Sequence, residues 1–175
     1  MVKQAQRGDD SAKAWLYKQF GKAMFNICTR LTGNTNDAED VLQNAFIRAF
    51  DRLHQLKQPE LFGGWLRRIV VTECLQQVKR AVNWHDLEEE TWEIVAEEPT
   101  AWWNNIPMEL VHSEIKKLPN GCREVFVLYM LEDYTHKKIA QELGISESTS
   151  KSQYQRARQL LKDRIIQQNI KNGSV

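Results

Sequence analysis

Strict alternation of apolar and polar residues, the mark of a half-buried strand, is scarce in this 175-residue chain, which argues against any sheet-based fold. Cysteine is sparse as well. Cys28, Cys74 and Cys122 lie 46 and 48 residues apart, a spacing that matches no metal-ligand pattern, and an odd number closes no disulfide framework. All three are expected to be reduced, mostly buried thiols. The four histidines are scattered and build no HxxxH-type pair, so no metal is expected. No apolar run approaches the ~18 residues of a membrane-spanning helix. MVKQAQRGDD at the start lacks the apolar stretch of a secretory leader. Together these point to a cytoplasmic protein. No nucleophile–base pair and no catalytic constellation stands out, so neither an enzyme nor a cofactor is expected.

One stretch lacks cations altogether. Residues 82–107 hold Asp86, Glu88, Glu89, Glu90, Glu93, Glu97 and Glu98 and no Lys or Arg, a net of −7. The chain's overall charge of +1 hides this. Residues 1–81 carry 13 basic and 8 acidic side chains, and residues 108–175 carry 11 and 8. Two mildly basic halves are thus joined by an acidic segment. Such asymmetry points to nucleic acid as a partner of the halves, although two ordinary surfaces and a solvating linker would look the same.

What is abundant is helical periodicity. Asp10 is placed to cap a helix over 11–20, with Ala14, Leu16, Tyr17 and Phe20 at helical spacing. Gly21 is expected to interrupt it, with Met24, Phe25, Cys28 and Leu31 forming the next stripe. GNTND at 33–37 reads as a loop with Asn36 as the following cap. Val41, Leu42, Ala45, Phe46, Ala49, Phe50 and Leu53 line a helix over 38–53. Pro59 suits the first turn of another over about 60–82. The pattern breaks at 83–107, which holds Pro99, Pro107, Trp84, Trp92, Trp102 and Trp103. Helical spacing returns at Met108, with a turn at Leu118-Pro119-Asn120-Gly121 and a compact apolar helix over 123–131. The expected fold is all-α: a domain over 1–82, an acidic linker over 83–107, and a second domain over 108–175.

The second domain ends in a cap at Thr135, a short helix to Leu143, Gly144, a cap at Ser146, and a long helix to about 167. That order is a helix-turn-helix, in which Ala140 sits where the helices cross closely and Ile139, Leu143 and Ile145 fill the small core. At about 100° per residue, Ser150, Tyr154, Ala157 and Leu161 share one arc, the buried side. Ser148, Lys151, Ser152, Gln155 and Arg156 spread over the opposite one, and every one of them can donate a hydrogen bond. Small hydroxyl residues at a helix start permit close approach to a DNA backbone, and the terminal amides favour phosphate. Long Lys, Gln and Arg side chains behind them reach base edges. Arg158 lies beside the core and suits a phosphate or structural contact.

LPNGCREVFVLYMLEDYTHKKIAQELGISESTSKSQYQRARQLL resembles region four of bacterial sigma factors of the extracytoplasmic-function (ECF) group. The resemblance implies that this helix binds the promoter −35 element through Ser148, Thr149, Lys151, Ser152, Gln155, Arg156 and Arg158. Three positions depart from the family pattern. Gln153 replaces a common Arg, Ser150 a Val, and Lys138 the usual Glu.

The resemblance extends through the first half. DAEDVLQNAFIRAF (37–50) looks like the family's helix that docks on the β′ clamp helices of RNA polymerase, implying Glu39, Asp40, Gln43 and Asn44 as polymerase-binding residues. Asn44 stands where Glu is usual. FGGWLRRIVVTECLQQVKR (62–80) resembles the element that binds and melts the −10 element. Its Trp65, Arg68, Thr72, Gln76 and Lys79 share one arc, a mix of cations for phosphates and an aromatic for unstacked bases. Trp65 also suits the core of a bundle, and Thr72 stands where the family often has Asn. The loop at 56–62 matches a segment that pockets a flipped −10 base in the family. The acidic linker matches one that threads the polymerase channel. The implied function is promoter recognition on behalf of core RNA polymerase, with the β′ clamp helices and β flap, promoter DNA and an anti-sigma factor as partners. A helix-turn-helix regulator acting without polymerase, or a sigma-like antagonist that binds polymerase but not DNA, is the alternative.

Overall fold

In the computed structural model, residues 1–81 and 106–171 are described, and the chain divides into two compact units, Met1–Arg80 and Ala81–Val175. Among the described residues every regular element is helical. The acidic segment and its tryptophans lie outside the described residues, apart from Ile106 and Pro107.

The first unit contains α1 (Val2–Gln6), α2 (Asp10–Thr32), α3 (Thr35–Asp51) and α4 (Phe62–Ala81). Two single 3₁₀ turns, Leu53–Gln55 and Pro59–Leu61, connect α3 to α4. Helix α2 runs through Gly21 without a break, contrary to the expected interruption. A mid-helix glycine costs only about 1 kcal/mol against alanine, and Gly21 is buried beside the Tyr17 ring. Packing along α2 offsets that cost. The caps also shift by one or two residues. Asp9, not Asp10, accepts from the Ala12 N–H at 3.1 Å, and Asn34, not Asn36, accepts from the Asn36 N–H at 2.9 Å. Leu16, Leu31, Ala45, Phe46, Leu66, Val70 and Cys74 are among the residues that fill the core.

The second unit contains α5 (Met108–Lys116), α6 (Asn120–Met130), α7 (His136–Leu143) and α8 (Glu147–Lys171). Helix α8 packs across α5, α6 and α7. Ile115, Leu128, Ile139, Ala157, Leu161 and Ile165 are almost fully buried between them. The three cysteines are free and buried, as expected.

Candidate nucleic-acid interface

The turn between α7 and α8 is fixed by three local devices. Thr135 caps α7 by accepting from the Lys138 N–H at 3.2 Å. Gly144 closes α7 at φ 73°, in the left-handed region that glycine enters without a Cβ penalty. Ser146 then accepts from the Thr149 N–H at 2.9 Å, the expected N-cap of α8. The Ser146 hydroxyl also meets Ser148 Oγ at 2.6 Å and Thr149 Oγ1 at 2.8 Å.

These contacts sort the predicted −35 residues. Ser148 and Lys151 are exposed, and Ser152, Gln155, Arg156 and Arg158 are partly exposed. Lys151 is tied to Glu147 at 2.9 Å across one turn, and that ammonium holds the Glu147 carboxyl below the usual range. So exposed a pair is screened by solvent and contributes little, so Lys151 can exchange it for a phosphate. The Arg158 guanidinium lies 5.8 Å from the Tyr154 ring, beside the core as expected. Thr149 departs from the expectation: it is only 9 % exposed and its hydroxyl is bound to Ser146. It follows Ser148 by about 100° around the helix, which turns it toward the buried arc. It holds the cap together and faces away from solvent.

The rear of α8 is where sequence reasoning missed the most. Ser150 is fully buried and its hydroxyl meets His136 Nδ1 at 2.9 Å. His136 in turn stacks on Tyr129, with centroids 4.2 Å apart. Gln153 is 5 % exposed and accepts from Cys122 Sγ at 3.0 Å. Tyr154 donates to Met130 Sδ at 3.0 Å. The two inward departures from the family pattern, Ser150 and Gln153, are therefore each met by a polar partner on α7 or α6. Nothing in the spacing of His136 or Cys122 could have shown this, because the pairings span 14 and 31 residues. Lys138, the third departure, lies 3.9 Å from the Tyr134 ring centroid. Beneath this layer Arg123 Nη2 and Glu124 Oε1 form a buried pair at 2.8 Å. Burial pushes the Glu124 carboxyl up to about 8, outweighing the pull of Arg123.

In the first unit, α4 turns Leu66, Val70, Val71, Cys74, Leu75 and Val78 inward. Arg68, Thr72, Gln76 and Lys79 are exposed along its other side. Trp65 is intermediate: part of it is accessible, and its ring lies 6.1 Å from that of Phe62. The Thr72 hydroxyl donates to the Arg68 carbonyl at 2.8 Å, so its proton is committed and its lone pairs face outward as acceptors. Glu39, Asp40, Gln43 and Asn44 are all exposed on α3, opposite Ala38, Val41, Leu42, Ala45 and Phe46. Arg48 Nη1 to Glu73 Oε1 at 2.6 Å and Gln77 Nε2 to Asp37 Oδ1 at 3.4 Å link α3 to α4. Glu73 is buried and depends on that arginine.

Among the described residues there is no cluster of three or more His, Cys, Asp or Glu side chains placed to hold a metal. None of the described helices is long and apolar enough to cross a membrane.

Two family models match the chain, Sigma-70 region 2 over residues 6–83 and Sigma-70, region 4 over residues 108–161. The ECF RNA polymerase sigma factor SigE of Mycolicibacterium smegmatis is 32 % identical over 170 residues, covering 89 % of this chain. This chain spans only 63 % of that relative's length. The ECF RNA polymerase sigma factor SigM of Mycobacterium tuberculosis is 30 % identical over 152 residues, covering 86 % of this chain and 76 % of its own. The solved structure of CnrH in complex with the cytosolic domain of CnrY superposes with a TM-score of 0.50 at 25 % identity, covering 94 % of both chains. With both region models aligned in order on the two units and a relative matched over most of its length, the chain belongs to the sigma-70 family, among the ECF RNA polymerase sigma factors.

Proposed function

We propose that this chain binds core RNA polymerase and directs it to promoters carrying −10 and −35 elements, with no covalent chemistry of its own. Glu39, Asp40, Gln43 and Asn44 dock on the β′ clamp helices, and the second unit lies against the β flap. Lys151, Ser152, Gln155 and Arg156 read the −35 element, with Ser148 and Arg158 on phosphates. Arg68, Thr72, Gln76 and Lys79 follow the −10 strand, and Trp65 stacks on an unpaired base. The domain limits 1–82 and 108–175 enclose these two functions, joined by the acidic linker over 83–107. Work with core polymerase places the protein in the cytoplasm, where a cytosolic polypeptide acting as an anti-sigma factor restrains it.

The observation that carries this reading is the pairing, in one chain, of a capped recognition helix with an exposed polar face on α3. A helix-turn-helix regulator working without polymerase leaves that α3 face and the α4 stripe without a task, and an antagonist that avoids DNA leaves the α8 face without one. Reconstitution with sigma-free core polymerase and a promoter library tests it. Specific initiation is expected, and DNA binding with no effect on core would overturn the reading. Asp40→Ala with Gln43→Ala should weaken core binding while leaving the second unit intact.

A further inference from the structure

The layer behind α8 contains one group whose hydrogen-bonding role changes near neutral pH. Ser150 stands where the family pattern carries Val, and it is fully buried. Among the described residues its hydroxyl has one polar side-chain partner, His136 Nδ1 at 2.9 Å. Its backbone N–H is already given to the Ser146 carbonyl at 3.1 Å. A buried hydroxyl proton without an acceptor is costly, so the Ser150 proton points at Nδ1, and the neutral imidazole carries its own proton on Nε2. The ring stacks on Tyr129 of α6, with centroids 4.2 Å apart and planes 15° from parallel. It meets Tyr154 of α8 edge-on at 5.7 Å. His136 is only half-buried, so protons reach it from solvent. The groups around it pull in opposite directions. Lys151 first, and His136 after it, hold the Glu147 carboxyl below its ordinary value, so Glu147 in turn favours an imidazolium. The face of Tyr129 does the same. Lys137 on α7 and Lys151 on α8 oppose it, as does the place of His136 in the first turn of α7, at the positive end of the helix dipole.

We propose that His136 is a positioning residue for −35 recognition: neutral, it accepts the Ser150 proton and seats the first turns of α8, and on protonation it releases them. The inference rests on the sigma-factor reading above. An imidazolium carries a proton on both nitrogens and accepts nothing. Its Nδ1–H donates to the Ser150 oxygen, and the hydroxyl proton must then turn elsewhere. The acceptor within its own helix is the Ser146 carbonyl, four residues back and already bonded to the Ser150 N–H. A serine that bonds back in this way bends its helix. The bend falls between the Ser146 cap and Lys151 and Ser152, the first of the proposed reading residues. The −35 element is therefore read more weakly as His136 takes up a proton. Val at position 150 would need no acceptor, so the coupling requires the serine.

The test uses holoenzyme reconstituted from the full chain and core polymerase, with a −35-bearing duplex and a scrambled duplex as probes. Binding is compared at about pH 8 and about pH 5.5, either side of the ordinary imidazole value of about 6.5. The wild-type preference for the −35 duplex should fall about fivefold at the lower pH, within the limit of about tenfold per pH unit for one linked proton. His136→Asn keeps an acceptor oxygen at the place of Nδ1 and takes up no proton. It should retain most of the preference and lose its pH dependence. His136→Ala strands the buried hydroxyl and should lose about tenfold at both pH values. Adding Ser150→Val to His136→Ala removes both partners and should recover most of that loss, which a packing defect would not allow. Amide exchange on the free chain gives a reading that needs no DNA. Protection across 149–153, corrected for the intrinsic exchange rate, should fall on acidification in the wild type and not in His136→Asn. A pH dependence that survives His136→Asn, a double variant no better than His136→Ala, or exchange without a pH step overturns the role of His136. If wild-type holoenzyme prefers neither duplex at either pH, the sigma-factor reading fails and the role in recognition falls with it, whatever the exchange shows.

Discussion

Replacing Ser146 by alanine removes one oxygen that serves three partners. The Thr149 N–H at 2.9 Å loses its acceptor, which costs about 0.5–2 kcal/mol for an N-cap of this kind. The Thr149 hydroxyl, at 9 % exposure, loses a partner that water replaces poorly, adding about 1 kcal/mol. The exposed Ser148 hydroxyl turns to solvent at no measurable cost. The sum, about 1.5–3 kcal/mol, falls on the first turn of α8, which keeps its Ser150–His136 tie to α7. Amide hydrogen exchange on the full chain is the fitting assay. Protection across 147–152 should fall by about 12- to 140-fold, by the tenfold-per-1.4 kcal/mol relation. The first unit should exchange as before. Ser146→Asp supplies the discriminating control. A carboxylate caps as well as a hydroxyl, so protection should return, yet it places negative charge where a phosphate is proposed to approach, so −35 binding should stay weak. Undiminished protection in Ser146→Ala would refute the assignment of that oxygen as the N-cap that orders the first turn of α8.

Other outcomes follow from the same structure. Glu124 has a folded value of about 8 against an ordinary 4.5, so the folded unit holds an extra proton between those values. Stability should therefore fall as pH rises from about 5 to 8, and Glu124→Gln should flatten that slope in denaturant titrations followed by tyrosine absorbance. Arg48→Ala strands the buried Glu73 carboxylate and should cost about 1–3 kcal/mol, read as a lower melting temperature of the first unit. Gly144→Ala meets no neighbour within 4 Å, so only the left-handed backbone resists it, at about 1–2 kcal/mol. Arg156→Ala should reduce −35 discrimination by about 1–3 kcal/mol in competition binding, and unchanged discrimination would place the reading face elsewhere.

Much of this molecule was legible in its sequence, for identifiable reasons. Apolar residues repeating every three to four positions marked α3, because burial decides which face turns inward, whereas α8 buries Ser150 and Gln153 and was placed by its cap. The Thr135, Gly144 and Ser146 devices were readable because each acts within three or four residues. The cap of α2 was misplaced because Asp9 and Asp10 are adjacent and chemically alike. Gly21 misled because glycine's cost to a helix is smaller than what packing of 23 residues against the core returns. Helix α1 was invisible: five residues show no period, and its order comes from Gln6 reaching carbonyls 47 and 50 residues away. The inward turn of Thr149 was not legible because the resemblance named it as a −35 residue without its place on the helix, and its burial rests on the bond to Ser146.

The polar rear of α8 constrains how that helix can turn. A helix seated only on smooth apolar side chains can roll about its own axis with little loss of contact. Directional bonds at Ser150, Gln153 and Tyr154 resist that rotation, since each requires its partner within about 3 Å. Side-chain tips stand about 5–6 Å from a helix axis, so a roll of about 30° would carry them nearly 3 Å, the full length of a hydrogen bond. Angular registration of the outward side chains is thus set by His136, Cys122 and Met130, none of which lies on α8 itself.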